Sequence, residues 1–327
     1  VIAFLLRRLA QSFAVMVAVG LIAFSMFRFV GDPVNQIVSL DTPTEQREQI
    51  RRELGLDRPV AVQFAAYLQR VSQGDFGISY QFRTPVKDLI GERMPATLEL
   101  AAVAALLALL VGIPMGVVTA VKQGTTLASL FMAVSLIGVS LPTFLIAILL
   151  RYVFSVQLGW LPSFGRGDVV ALGWWSTGLL TASGLKALVL PSITLALFQM
   201  TLIMRLVRSE MLEVLRTDYI KFARARGLPD RTVHFGHALK NTLVPVITIA
   251  GLQIGFIIAF ALITEYVFQW PGMGLLFLGA VQNVDIPIMA AYLMLVAGMF
   301  VAINLVVDLL YAAVDPRLRA SAHTVGG

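Results

Sequence analysis

The 327-residue chain contains no cysteine, which excludes a disulfide framework, a thiolate metal site and a thiol redox centre. Histidine is nearly as scarce, at three residues. Of these, His234 and His237 stand three apart with no third ligand in view, so they are expected to be solvated or to face a partner rather than to hold a metal. No G-x-x-x-x-G-K-[ST] phosphate loop occurs, so the chain is not expected to bind ATP by itself. H-E-x-x-H and G-x-S-x-G are also missing, and no histidine lies in or near a long apolar run. An enzyme is therefore not expected, with neither catalytic nor metal-binding residues.

What the chain has in excess is oil. Hydrophobic residues make up 58% and mean hydropathy is +0.83, where a soluble domain holds about 45–50% apolar residues. Charge-free runs lie between Arg8 and Arg28, Glu99 and Lys122, Lys122 and Arg151, Lys186 and Arg205, Lys240 and Glu265, and Asp285 and Asp308. A bilayer core of ~30 Å needs ~20 helical residues, so six spans are expected. A seventh candidate, 169–185, is short, rich in Gly, Ser and Thr, and would spoil the charge asymmetry. With six spans and the N-terminus inside, the inner side gathers Arg7, Arg8, Lys122, Arg205, Arg208, Arg216, Lys221, Arg224, Arg226, Arg231, Lys240, Arg317 and Arg319. The short outer segments hold only Arg28, Arg151, Arg166 and Lys186, as the positive-inside rule requires. Trp174 and Trp175 then read as an interfacial belt on the outer face. The first apolar run exceeds the ~7–15 residues of a signal-peptide core and lacks a small-x-small site after Phe29, so it is expected to stay as a span.

Residues 32–95 are too many for a passive connection. Thr42-Pro43-Thr44-Glu45 reads as a capping box opening a helix through Glu48 and Arg52 to Gly55. A second helix is expected from Pro59, with Val60, Phe64, Tyr67, Leu68 and Val71 on one face and Gly74 at its end. Thr84-Pro85 opens a third, short turn carrying Val86, Leu89 and Ile90. These stripes suit either a cap on the outer ends of the spans or a docking surface for a soluble partner.

Glu99, Glu265 and Asp308 stand at run edges, where interfacial water is expected to reach them; a proton relay would want acids deeper. Within the runs, Gln199, Thr201, Thr248, Gln253 and Asn304 are the notable polar residues. They fit helix–helix hydrogen bonding or a water-accessible path, for which Gln199 and Gln253 are the first candidates.

One polar, basic stretch separates the fourth and fifth runs. Tyr219-Ile220, Ala223-Arg224-Ala225-Arg226-Gly227-Leu228, His237-Ala238-Leu239-Lys240-Asn241 and Val244-Pro245 resemble the loop signature of ABC-importer permeases of the dipeptide, oligopeptide and nickel subfamily. Lys221 and Phe222 replace the first two residues of the general Glu-Ala-Ala signature, and the proline comes five positions late; both departures look typical of that subfamily. "GDPV", "ELGLDRPV", "GDFGISY", "TPVKDLIGERMPATLEL", "LGWLPSFGRG", "LKALVLPSITLAL", "TEYVFQWPGMG" and "NLVVDLLYAAVDPRLR" carry the likeness along nearly the whole chain.

The resemblance implies an all-α membrane protein with six transmembrane helices, like a type I ABC-importer permease, with a small helical periplasmic insertion between spans one and two. It divides the chain into a first span (1–31), the insertion (32–96), a five-helix core (97–320) with a cytoplasmic coupling loop (205–243), and a tail (321–327). It implies a bacterial inner-membrane location with both termini cytoplasmic. Implied partners are a second, homologous permease, two ATPase subunits, a periplasmic binding protein and the lipid bilayer, but no nucleic acid. No cofactor is implied on this chain, since ATP and Mg belong to the ATPases. The solute would be a peptide, or else nickel or another small solute. Tyr219, Ala223, Arg224, Ala225, Arg226, Gly227 and Leu228 would form a coupling helix docked on the ATPase. Small Ala223 and Ala225 would allow close approach there, Arg224 and Arg226 would pair with acids, and Gly227 would make the turn. Pro245 would open the fifth span. A stand-alone secondary transporter or channel would instead show buried ionisable residues or paired broken helices at mid-membrane.

Overall fold

The computed structural model describes residues 2–29, 43–53 and 56–314. Thr42 of the expected capping box, Gly55, the 31–34 stretch and residues 315–327 lie outside them. Helix α1 (Ile2–Phe29) is followed by α2 (Thr44–Glu53), α3 (Val60–Ser72), α4 (Val86–Val121), α5 (Thr126–Ser140) and α6 (Thr143–Arg151), which runs into a π-helical turn at Tyr152–Gln157. A hairpin of β1 (Val170–Leu172) and β2 (Trp175–Thr177) precedes α7 (Ala182–Val214) and α8 (Asp218–Ala225). A π-helical turn (Thr232–Ala238) leads into α9 (Leu239–Phe268), and α10 (Met273–Gln282) and α11 (Ile286–Val314) complete the described chain.

Five of these, within α1, α4, α7, α9 and α11, are long and apolar enough to cross a bilayer. The run between Lys122 and Arg151, expected as one span, is two helices bent by 111°. The cause is Pro142. A residue before proline is driven out of the α region, and Leu141 is extended, at φ −96 and ψ 135. Residues 169–185 hold a hairpin instead of a seventh span, a small departure from an all-α chain. Gly173, at φ +68, begins the two-residue connection that pairs Leu172 with Trp175, as a Gly-first hairpin turn requires.

The expected third short turn is in fact the first turn of α4, which continues to Val121. Its 36 residues span about 54 Å at 1.5 Å each, so one end must project beyond a ~30 Å core.

The core is built on close helix crossings. α4 meets α7 through Gly112 and Gly116, where an added Cβ would lie 2.9 Å from Met200 O and 2.6 Å from Val207 Cβ. α9 meets α11 the same way, through Gly251 against Val307 and Gly255 against Phe300. Both pairs are G-x-x-x-G, the spacing that lets backbones approach in lipid, where dispersion contacts replace the hydrophobic drive. The α3 stripe packs as its periodicity predicts. Phe64, Tyr67, Leu68 and Val71 meet Ala23, Phe24 and Phe27 of α1 and Met294 of α11, while Val60 stays exposed. Tyr67 lies 6.0 Å from the ring of Phe24 and 5.8 Å from that of Phe27.

Candidate functional site

Helix α8 has two faces. Ile220 and Ala223, three residues apart, are buried in the same apolar cluster as Met204 and Met211 of α7. Tyr219, Phe222 and Leu228 are exposed, Phe222 by 64%, as are Arg224, Ala225 and Arg226. The structure therefore splits the candidate set: Ala223 serves close approach to its own chain, and the outward face is aromatic and basic. The Arg226 guanidinium lies 5.8 Å from the Phe222 ring centre, within cation–π range. Lys221 pairs with Asp218 at 2.8 Å in solvent, and Asn241 donates to the Tyr219 hydroxyl at 2.6 Å, tying α8 to the base of α9.

The helix ends in a Schellman turn. Leu228 N–H donates to Ala223 O and Gly227 N–H to Arg224 O, the paired bonds that satisfy terminal carbonyls when the residue past the cap is left-handed. Gly227 is at φ +75, and nothing lies within 4 Å of where its Cβ would be. Glycine is needed there for its backbone, and crowding plays no part.

Pro245 is the first residue of the apolar span Pro245–Phe268, as expected, but the helix itself starts six residues earlier, at Leu239, so the proline lies inside α9. The amide it lacks would have served the carbonyl of Asn241, an exposed residue, so water can satisfy that group.

A second site occupies the opposite reach of α4. Glu99 and Glu265, expected at run edges within reach of water, are buried, at 4% and 0% exposure. Water is replaced by fixed donors. Glu99 forms an ion pair with Arg166 and accepts from Gly178 N–H at 3.1 Å. Arg166 also donates to Ser176 Oγ and O, at 3.0 and 2.7 Å. Glu265 accepts from the Thr97 hydroxyl at 2.6 Å and from Leu275 N–H at 3.0 Å, in the first turn of α10. Thr97 Oγ1 in turn accepts from Met273 N–H at 2.8 Å, and Trp270 Nε1 donates to Ala96 O at 2.9 Å. Arg166 lies 5.9 Å from the Trp270 ring centre and joins the two networks. A Cβ on Gly272 would overlap the Glu265 carboxyl, and one on Gly274 would come within 2.9 Å of Oε2.

One turn of α4, from Ala96 to Glu99, thus clasps two segments from elsewhere: the hairpin loop through Arg166 and Gly178, and the α9–α10 corner through Glu265 and Trp270. The carboxylates hold backbone amides, a hydroxyl and one guanidinium, which is anchoring chemistry. Asp308, by contrast, is partly exposed and pairs with Arg8 at 2.9 Å.

Gln199 is buried on α7, at 3% exposure, and its Oε1 has no hydrogen-bond partner. Gln253 is half-buried on α9. Among the described residues the two make no hydrogen bond to each other. The anchoring residues Thr97, Arg166 and Trp270 were not singled out from sequence. Their signal was the glycine-spaced "QWPGMG" corner, whose Gly272 and Gly274 make room for the Glu265 carboxyl, and the "FGRG" loop, whose two glycines take positive φ on either side of Arg166.

Comparison with known proteins follows the same outline. Residues 112–320 match the family model described as "Binding-protein-dependent transport system inner membrane component", and residues 1–101 match its N-terminal counterpart. The dipeptide transport system permease protein DppB of Alkalihalophilus pseudofirmus is 36% identical, covering 97% of this chain and 99% of that protein. A putative peptide transport system permease protein of Brucella abortus is 39% identical over 97% of this chain and 99% of its own. DppB of Escherichia coli is 37% identical over 97% and 98%. An inward-facing structure of the MetNI methionine ABC transporter matches the fold with TM-score 0.52 at 20% identity, over 67% of this chain and 93% of that one.

Proposed function

The chain belongs to the binding-protein-dependent transport system inner membrane components, among the dipeptide and peptide permeases of ABC importers, and on that premise we propose that it forms half of a peptide pathway driven through α8. It is a non-catalytic subunit; ATP hydrolysis belongs to partner subunits. The observation that carries the coupling reading is α8 itself. Its inward face is used up by its own chain, while Phe222, Arg224 and Arg226 stand outward with only local contacts, beside Tyr219, whose hydroxyl alone is tied back to Asn241. Such a ledge suits a groove with apolar and acidic lining on an ATPase, and a rigid-body shift of that groove would rock the spans between two states.

In this reading the bent α5–α6 unit supplies the third of six spans, α2 and α3 belong to a periplasmic insertion at 32–96, and both termini are cytoplasmic. The core at 97–320 pairs with a second, homologous permease to enclose the path, with Gln199 and Gln253 as its candidate polar lining. A binding protein delivers the peptide, and ATP with Mg stays in the ATPases. Nickel or another small solute would use the same machinery. Buried Glu99 and Glu265 are engaged in anchoring bonds at the 96–99 turn of α4, and buried Asp285 accepts from the Ser79 hydroxyl and Gln81 N–H, which supports the importer reading over a secondary transporter.

The test is Gly227→Val. A β-branched residue at φ +75 is strained whatever the space around it. Membrane insertion is expected to be unchanged, while co-purification of the ATPases and uptake of labelled dipeptide fall together. Uptake at the wild-type rate in this variant would refute the coupling role of α8.

A further inference from the structure

Where α4 ends and α5 begins, the turn through Gly124 borders an open cavity of about 410 Å³ against α7. Its polar lining is Thr119, Gln123, Ser129 and Arg208. Arg208 is the one charged side chain in that lining, and its Nε is buried without a hydrogen-bond partner. Nothing in the described chain pairs with its guanidinium. Thr119 is already committed, since its hydroxyl faces the carbonyls of Met115 and Gly116 on its own helix. The Gln123 amide and the Ser129 hydroxyl are exposed and have no partner among the described residues. The cavity therefore offers donors from three side chains and no carboxylate, a set that accepts an anion.

The surroundings say which anion. The apolar run of α4 stops at Val121, Lys122 follows, and α5 starts a new apolar run at Leu127, so the cavity sits at the level where hydrocarbon gives way to headgroups. From its rim, α5 turns Leu127, Leu130, Leu136 and Ile137 outward, each between 41% and 58% exposed. Its 15 residues extend about 22 Å, comparable with an acyl chain. We propose that this cavity binds the phosphate of a membrane phospholipid, with Arg208 as its cation, Gln123 and Ser129 as further donors, and the acyl chains laid along the outward face of α5. The inference rests on the membrane placement of α4, α5 and α7 and is independent of the solute carried.

The experiment is native mass spectrometry of the assembled transporter released from lipid nanodiscs, comparing wild type with Arg208→Gln and with Arg205→Gln as an exposed-arginine control. Wild type and the Arg205 variant are expected to retain one phospholipid more than Arg208→Gln, whose occupancy falls at least tenfold. Arg208→Lys keeps the charge but loses the fork and should fall between. Should Arg208→Gln not assemble, Gln123→Leu, at the exposed rim, is expected to lower retention several-fold. Equal retention in all variants overturns the proposal. So does Arg208-dependent binding of added inorganic phosphate with no retained lipid, which would make the site one for a free anion. Loss of a protein subunit in Arg208→Gln, with lipid counts unchanged, would assign the arginine to a protein partner and also overturn it.

Discussion

Replacing Arg166 with methionine should destabilise the protein more than any other single exchange at the hub. The Arg166 side chain is 6% exposed and that of Glu99 1%, so the substitution leaves a buried carboxylate with only the Gly178 amide to hold it. Breaking one partner of a buried ion pair costs about 3–5 kcal/mol, mostly because the remaining charge is stranded. At about 2–4 °C per kcal/mol, the thermal midpoint of the purified complex should fall by roughly 6–20 °C. Adding Glu99→Gln removes the stranded charge. Independent effects would sum to about 6–10 kcal/mol; the double variant should instead lose no more than about 3–5, a coupling of about 3 kcal/mol or more, as expected for side chains in direct contact. Hydrogen exchange adds a local readout, with the Gly178 and Leu179 amides losing protection while the α4–α7 crossing keeps it. A midpoint within about 2 °C of wild type, or a double variant equal to the sum of the singles, would refute the assignment of Arg166 and Glu99 as a buried, mutually dependent pair.

Two further outcomes follow from other parts of the molecule. Gly116→Leu drives a side chain into Val207 at the α4–α7 crossing; overpacking of this kind costs about 1–3 kcal/mol or more, and the measurement is a lowered midpoint with reduced yield of monodisperse protein. Tyr67→Phe removes a buried hydroxyl that has no hydrogen-bond partner, so stability should hold or rise by up to about 2 kcal/mol. Burial also pushes the Tyr67 phenol up to about 12, with nearby Arg70 lowering it in part. The raised value means that its contribution is fully present below pH ~10 and is lost as pH rises toward ~12; an alkaline melting series should show that loss in wild type and a smaller one in Tyr67→Phe.

How far sequence reached depended on whether a feature was local. The α3 stripe and the Gly227 turn are set by spacing and backbone conformation within a few residues, and both were legible. The break at Pro142 was equally local but hidden by a charge count, which sees a continuous apolar run and ignores the restriction that proline places on its predecessor. Glu99 and Glu265 were misjudged for a different reason. Position at a run edge gives depth along the helix axis and says nothing about lateral cover. The arginine that neutralises Glu99 is 67 residues away, and the hydroxyl that donates to Glu265 is 168 residues away. Ala223 shows the same limit: its small size was plain, but which neighbour it makes room for depends on how the Thr232–Ala238 turn folds back on α8. The G-x-x-x-G pairs went unremarked in the sequence, where a four-residue spacing of glycines does not tell which helix each one meets.

The clasp at Ala96–Glu99 has a mechanical consequence. It fixes α4 to two neighbouring segments near one end, and the helix then continues from Glu99 to Val121, about 33 Å at 1.5 Å per residue. Because Gly112 and Gly116 seat this length against α7, the two helices would swing together, as a lever with its pivot at the clasp. A rotation of about 10° there sweeps the far tip, beside the start of α5, through roughly 6 Å over that length. Small angular play at a tightly bonded fulcrum is thus magnified into a displacement wider than a peptide backbone at the other face.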